Sequence, residues 1–135
     1  MPKLKTYQIF ISHAWSYDEH DRIIEFLSDS SNFIFKDFSV SRNKRLKTRN
    51  DTELRKLLRQ RINCAQIILV PAGMEVSRRY WIKFEIEHAQ RMNKPIVGIY
   101  PLGQRCTPKL IDKAACDIVP WRRHQILNAI RRYAL

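Results

Sequence analysis

Glycine is nearly missing from this chain: three residues in 135. That is too few for a Walker A loop or a GxGxxG turn, which use several glycines to bring backbone N–H groups against phosphate. Cysteine is as scarce. Cys64, Cys106 and Cys116 form an odd set without metal-ligand or redox spacing, so they point to a reducing compartment. Cys64 and Cys116 flank predicted strands and are expected as small core residues. Long apolar runs are also missing. The longest reach about six residues, against the roughly 20 that a membrane-spanning helix requires. The opening "MPKLKTYQIFISH" passes from a basic start directly into a strand-like run, unlike a secretory signal. These absences imply a cytoplasmic location and no membrane partner. Acidic residues are in deficit too, 13 against 25 Lys and Arg, for a net charge of +12.

The excess charge is concentrated. Residues 42–61, "RNKRLKTRNDTELRKLLRQR", carry nine Lys or Arg against Asp51 and Glu53, a local net of +7. Such a segment suits a polyanion, nucleic acid included, or is simply a solvated loop and helix face. No aromatic residue alternates with these charges, so the stacking platform used for single strands is missing and nucleic acid is disfavoured.

What is present is periodicity. At 135 residues, 44% of them hydrophobic, the chain suits one domain, 1–135, burying roughly two-thirds of its unfolded surface. Apolar runs at 6–13, 32–40, 65–73, 94–101 and 116–121 read as strands, and 65–73, "AQIILVPAG", is the clearest. Helical spacing marks 17–29 (Ile23, Ile24, Leu27) and 50–62 (Leu54, Leu57, Leu58, Ile62), the latter opened by a capping-box pattern from Asn50 to Glu53. Two more helices read at 78–92 and at 122–134, the last with Ile126, Leu127, Ile130 and Tyr133 inward. Strand and helix alternate without an internal repeat or a Gly/Ser linker. The expected fold is a flavodoxin-like, three-layer α/β domain with a five-stranded parallel sheet in the order 2-1-3-4-5. Ligands of such sheets sit beyond the carboxyl ends of strands 1 and 3. There the chain offers "SHAWSYD" (12–18), the loop after strand 2, and "PAGMEVS" (71–77).

Several chemistries fail at that edge. A flavin phosphate loop is rich in Ser, Thr and Gly, whereas "SHAWSYD" has no glycine and two bulky aromatics. A phospho-receiver needs acidic residues ending strands 1 and 3, where this chain has Ser12-His13 and Val70-Pro71. His13, Asp18, His20 and Asp21 match no recurrent metal spacing, so no metal is expected, and no Ser-His-Asp triad can be assembled.

One carboxylate stands out. On a helical wheel of the 78–92 segment with Trp81 at zero, Glu85 falls at about 40°, inside the apolar arc of Met92, Ala89, Ile82 and Phe84. Glu87 falls at about 240°, among Lys83, Gln90 and Arg91. A glutamate near a helix start is favoured by the dipole and by an arginine such as Arg78. On an apolar face, however, a carboxylate costs several kcal/mol unless it is hydrogen-bonded or used, and catalytic carboxylates are often tuned by such burial.

Five stretches in order, "YQIFISHAWSYD", "FKDFSVS", "SRRYWIKFEIEHA", "KPIVGIYPLG" and "IVPWRRHQILNAIR", resemble the TIR-like family typified by ThsB of the bacterial Thoeris anti-phage system. The resemblance implies a TIR fold and an enzyme, an NAD glycohydrolase or ADP-ribosyl cyclase, with NAD as substrate and no resident cofactor. It implies release of a signalling nucleotide, a cyclic ADP-ribose isomer, that activates a nucleotide-sensing effector protein. The family's catalytic glutamate lies in a Trp-x-x-x-Glu pattern, here Trp81 and Glu85. By the same resemblance Ser12 and His13 form the pocket floor, and Asp37, Phe38 and Ser39 belong to a loop that closes over the nucleotide. Self-association is a further expectation. The alternatives are a TIR-like interaction module without turnover, and a nucleic-acid binder using residues 42–61.

Overall fold

Along β1 (Thr6–Ile11) burial deepens until Ile9, Phe10 and Ile11 are all enclosed, as expected of an interior parallel strand covered on both faces. The computed structural model describes residues 5–12, 17–30, 33–39, 50–71, 79–100 and 109–135. Within them follow α1 (Tyr17–Ser28), β2 (Ile34–Asp37), α2 (Asp51–Cys64), β3 (Ile67–Pro71), α3 (Arg79–Arg91), β4 (Ile96–Tyr100), α4 (Lys109–Ala114), β5 (Asp117–Pro120) and α5 (Arg123–Tyr133). The strands form one parallel sheet in the order 2-1-3-4-5, as the alternation predicts. β3 lies at its centre with every residue buried.

Side chains alternate across the sheet and so build two cores. Phe10, Ile68 and Val70 meet Leu54, Leu58 and Ile62 of α2, Ile82, Ile86 and Ala89 of α3, and Ile111 of α4. On the other face Ile9, Ile11, Ile67, Leu69, Val97 and Ile99 meet Ile23 and Leu27 of α1 and Ile126, Leu127, Ala129 and Ile130 of α5. These are the three layers. The cap read from the sequence is made: Asn50 Oδ1 accepts from the Glu53 N–H at 2.9 Å, a contact worth about 1 kcal/mol.

Three details depart from expectation. Helix α4 falls between two strands where no helix was predicted, because six residues are too few to show a 3.6-residue period. Met92 is 43% exposed although the wheel placed it in the apolar arc. The helix has already ended at Arg91, and Asn93, at φ 56°, turns the chain away, as a residue in the left-handed region does after a helix. Cys64 and Cys116 are exposed, not core residues. Cys64 closes α2 and the buried place falls to Ala65; the Cys116 thiol donates to the Ile96 carbonyl at 3.3 Å just before β5. Cys106 lies outside the described residues. No described helix is long and apolar enough to cross a membrane.

Candidate active site

The chain leaves β1 toward β2 on one side and later returns to place β3 on the other, so the crevice between the ends of β1 and β3 is the switch point where such sheets bind ligands. Ser12, the residue after β1, sits at that crevice. Its N–H donates to the Leu69 carbonyl of β3 at 2.9 Å, so the backbone keeps its course one residue past the strand. By alternation Ser12 shares the face of Phe10, toward α3, and it is completely buried.

Helix α3 brings Glu85 to the same point. Ile82, Ile86 and Ala89 are buried along one side of the helix, while Lys83, Glu87, Gln90 and Arg91 face solvent. Glu85, 3% exposed, belongs to the buried side, as its wheel position predicts. The Ser12 hydroxyl donates to Glu85 Oε1 at 2.9 Å. Glu87 instead lies 4.0 Å from Lys83, both half-exposed or more. A dipole account of Glu85 is weakened by its place: it is the seventh residue of α3, beyond the first turn in which the macrodipole acts. Arg78, its suggested partner, lies outside the described residues.

Trp81 stands one turn before Glu85 and is half-buried, with its ring edge-on to Tyr80 (centroids 5.0 Å apart) and to Phe84 (6.0 Å). Asp37 ends β2 and Phe38 and Ser39 follow it at the same edge of the sheet. The contacts seen there run to β1: the Phe38 N–H donates to the Ile9 carbonyl at 2.7 Å and the Ile11 N–H donates to Ser39 Oγ at 2.8 Å. Of the expected site, then, Ser12 and Glu85 are in contact, Trp81 lies a turn away, and Asp37, Phe38 and Ser39 adjoin β1. His13 lies outside the described residues.

Two polar features were not singled out from the sequence. His88, buried on the same side of α3, makes a 2.8 Å hydrogen bond through Nε2 to Asn63 Oδ1 of α2. Burial, with Arg91 and Arg59 nearby, lowers its pKa, against a smaller opposing effect of a hydrogen bond to the Arg59 backbone; in the neutral ring the tautomer decides which of the two nitrogens donates. That bond ties α3 to α2. On the opposite face, Trp121, directly after β5, is buried beneath the Arg22 guanidinium at 4.9 Å. Its indole N–H has no partner among the described residues.

The basic segment is described from residue 50 onward. Lys56 and Arg59 of α2 are exposed. Arg55 donates to the Tyr80 hydroxyl at 3.0 Å, and Arg59 lies over the Phe84 ring at 5.2 Å. Aromatic rings missing from the 42–61 stretch are thus supplied by α3. Among the described residues, no group of three or more His, Cys, Asp or Glu side chains could hold a metal ion.

Fold and site together define a doubly wound α/β domain with a buried carboxylate at its switch point. The family described as Thoeris protein ThsB, TIR-like domain, matches residues 10–105, and the chain belongs to that family. Among solved structures, the Clostridium botulinum CMP N-glycosidase BcmB superposes with a TM-score of 0.57 at 18% identity, over 93% of this chain and 99% of the other. Curated protein sequences give no match.

Proposed function

We propose that this chain cleaves the bond between nicotinamide and ribose in NAD, with Glu85 as its catalytic carboxylate, and releases an ADP-ribose-derived messenger. The observation that carries this reading is the burial of Glu85 at the switch point, on the hydroxyl of Ser12. As the bond from ribose C1′ to the nicotinamide nitrogen breaks, its electron pair leaves with the base, which departs neutral. Positive charge spreads over C1′ and the ring oxygen, as in glycoside hydrolysis. A fixed carboxylate in a site shielded from water stabilises that charge and orients the ribose hydroxyls. Water attacking C1′ and losing a proton gives ADP-ribose; a nucleophile from the adenosine part of the same molecule closes a cyclic ADP-ribose isomer. The bond broken is N-glycosidic, the class of bond on which a CMP N-glycosidase acts.

Membership in the ThsB TIR-like family supports a place in anti-phage defence, with the messenger activating a separate effector in the cytoplasm. Trp81 forms one wall beside the base, and Ser12 lies at the floor of the pocket. Self-association supplies further cover for a dinucleotide on a chain of 135 residues. The test is direct: purified protein is incubated with NAD, with and without lysate from phage-infected cells, and products are identified by mass spectrometry. Nicotinamide with ADP-ribose or a cyclic isomer supports the reading. Intact NAD under every condition supports the alternative of an interaction module without turnover.

A second reading has one observation in its favour. The 57% exposed Tyr80, bonded to Arg55 beside Arg59 and Lys56, offers a ring and cations to single-stranded nucleic acid. Salt-sensitive oligonucleotide binding that is lost in Tyr80→Ala would support it.

A further inference from the structure

The hydrogen bonds at the carboxyl edge of the sheet extend beyond the Ser12–Glu85 pair. The register sets Ile9 opposite Asp37, the last pair of the ladder, and Ile11 and Ser39 each lie two residues beyond it. β2 ends at Asp37, so the ladder no longer supplies the carbonyl that the Ile11 N–H would meet next. Ile11 is completely buried, and its N–H must find an acceptor. It finds Ser39 Oγ at 2.8 Å. The Ser39 N–H in turn donates to Asp37 Oδ1 at 2.9 Å, a local turn of the kind aspartate often closes. The next peptide along β1 is held from the other side, by the bond from the Ser12 N–H to the Leu69 carbonyl. Ile11 and Ser12 are thus clamped between the loop after β2 and strand β3, and the Ser12 hydroxyl reaches Glu85 from within that clamp.

We propose that Ser39, held by Asp37, is a positioning residue: it fixes the end of β1 and, through Ser12, sets the Glu85 carboxylate. This rests on the reading of Glu85 as the catalytic carboxylate. It assigns Asp37 and Ser39 a task apart from contact with the nucleotide. Small displacements of a reacting group cost large factors in rate, so the effect is expected in kcat.

The test compares Ser39→Ala with Ser39→Thr, which keeps the hydroxyl. In an NAD-cleavage assay Ser39→Ala is expected to lower kcat by about tenfold or more with KM unchanged, and Ser39→Thr to recover most of that loss. A second readout needs no turnover: the carboxyl carbon resonance of Glu85 should move in Ser39→Ala toward its place in Ser12→Ala, and return in Ser39→Thr. A raised KM with kcat kept would show that Ser39 touches substrate and would overturn the proposal, as would a Glu85 resonance unmoved in Ser39→Ala. Should Ser39→Ala fail to fold, Asp37→Ala is read instead by both measurements, with the same outcomes deciding. Glu85→Gln separates the two readings. If it keeps full activity, the assignment of Glu85 falls; if it is inactive while Ser39→Ala behaves as wild type, the positioning role alone falls.

Discussion

Glu85→Gln set against Glu87→Gln is the sharpest test of the site, because the two carboxylates lie two residues apart on one helix and differ only in what surrounds them. Glu85 is 3% exposed and accepts from Ser12 at 2.9 Å. A glutamine there keeps the shape and an oxygen that can still accept the Ser12 hydrogen bond, so that bond, worth about 1 kcal/mol, is retained. What disappears is the negative charge. Its burial is costly in the resting protein, so the melting temperature is expected to hold or rise. Beside an oxocarbenium-like centre the same charge is worth at least as much as one oxyanion-hole donor, about 3–4 kcal/mol, hence a loss of roughly a hundred- to a thousandfold in turnover. Glu87 lies 4.0 Å from Lys83 with both side chains half-exposed or more. Such a pair contributes less than about 0.5 kcal/mol, and Glu87→Gln should leave melting and turnover nearly unchanged. The assay is nicotinamide release from NAD together with thermal unfolding of both variants. Equal losses in the two, or full activity in Glu85→Gln, would refute the reasoning. A large fall in melting temperature confined to Glu85→Gln would mark the carboxylate as structural.

Three further outcomes follow from the same geometry. Ser12→Ala removes a donor from a buried carboxylate, and should cost about 1–3 kcal/mol of stability by chemical denaturation as well as turnover. The His88 pKa lies below its ordinary 6.5, so the unfolded chain binds the proton first as pH falls. His88 therefore leaves stability unchanged well above pH 6.5 and lowers it as pH drops below 6.5; denaturation between pH 7.5 and 5.5 should be less pH-dependent in His88→Gln. Gly98→Ala places a Cβ 2.8 Å from Ile111 Cγ2, between β4 and α4, and should destabilise by about 1–3 kcal/mol, an effect partly relieved by adding Ile111→Ala.

The sheet was legible because its strands are continuous apolar runs, and a parallel sheet covered on both faces is the arrangement that buries such runs. Glu85 was legible because a 3.6-residue period separates it from Glu87 without any knowledge of the partner. Its contact with Ser12, 73 residues away in sequence, was legible only in outline, through the rule that places ligands at the switch point. The bond from Ile11 to Ser39 was not legible. A hydroxyl there stands in for a ladder carbonyl, and nothing in the residue pattern distinguishes that serine from one in a solvated loop. The pairing of His88 with Asn63 was hidden for a related reason, since it depends on how α2 and α3 cross. The aromatic residues beside the basic segment escaped notice because they come from α3, some 20 residues further along the chain.

The choice of a hydroxyl beside Glu85 bears on why the carboxylate stands where it does. An apolar residue would suit the surroundings of Ile82, Ile86 and Ala89 and would remove a desolvation cost of several kcal/mol. A lysine or arginine in place of Ser12 would offset that cost, yet it would also cancel the negative charge on which a developing cation depends. A neutral donor does neither. It meets one hydrogen-bonding need of Oε1 and orients the group. Ser12 can act in this way because its backbone is held as part of the sheet, by the Leu69 carbonyl on one side and, through Ile11, by Ser39 on the other. The same bonds would do little for a residue whose only task was to fill space. Ser12→Ala should accordingly lower turnover by a larger factor than its effect on folding accounts for, measured on protein shown to be fully folded at the assay temperature. A fall in activity no greater than the fall in folded fraction would instead make the serine a packing residue.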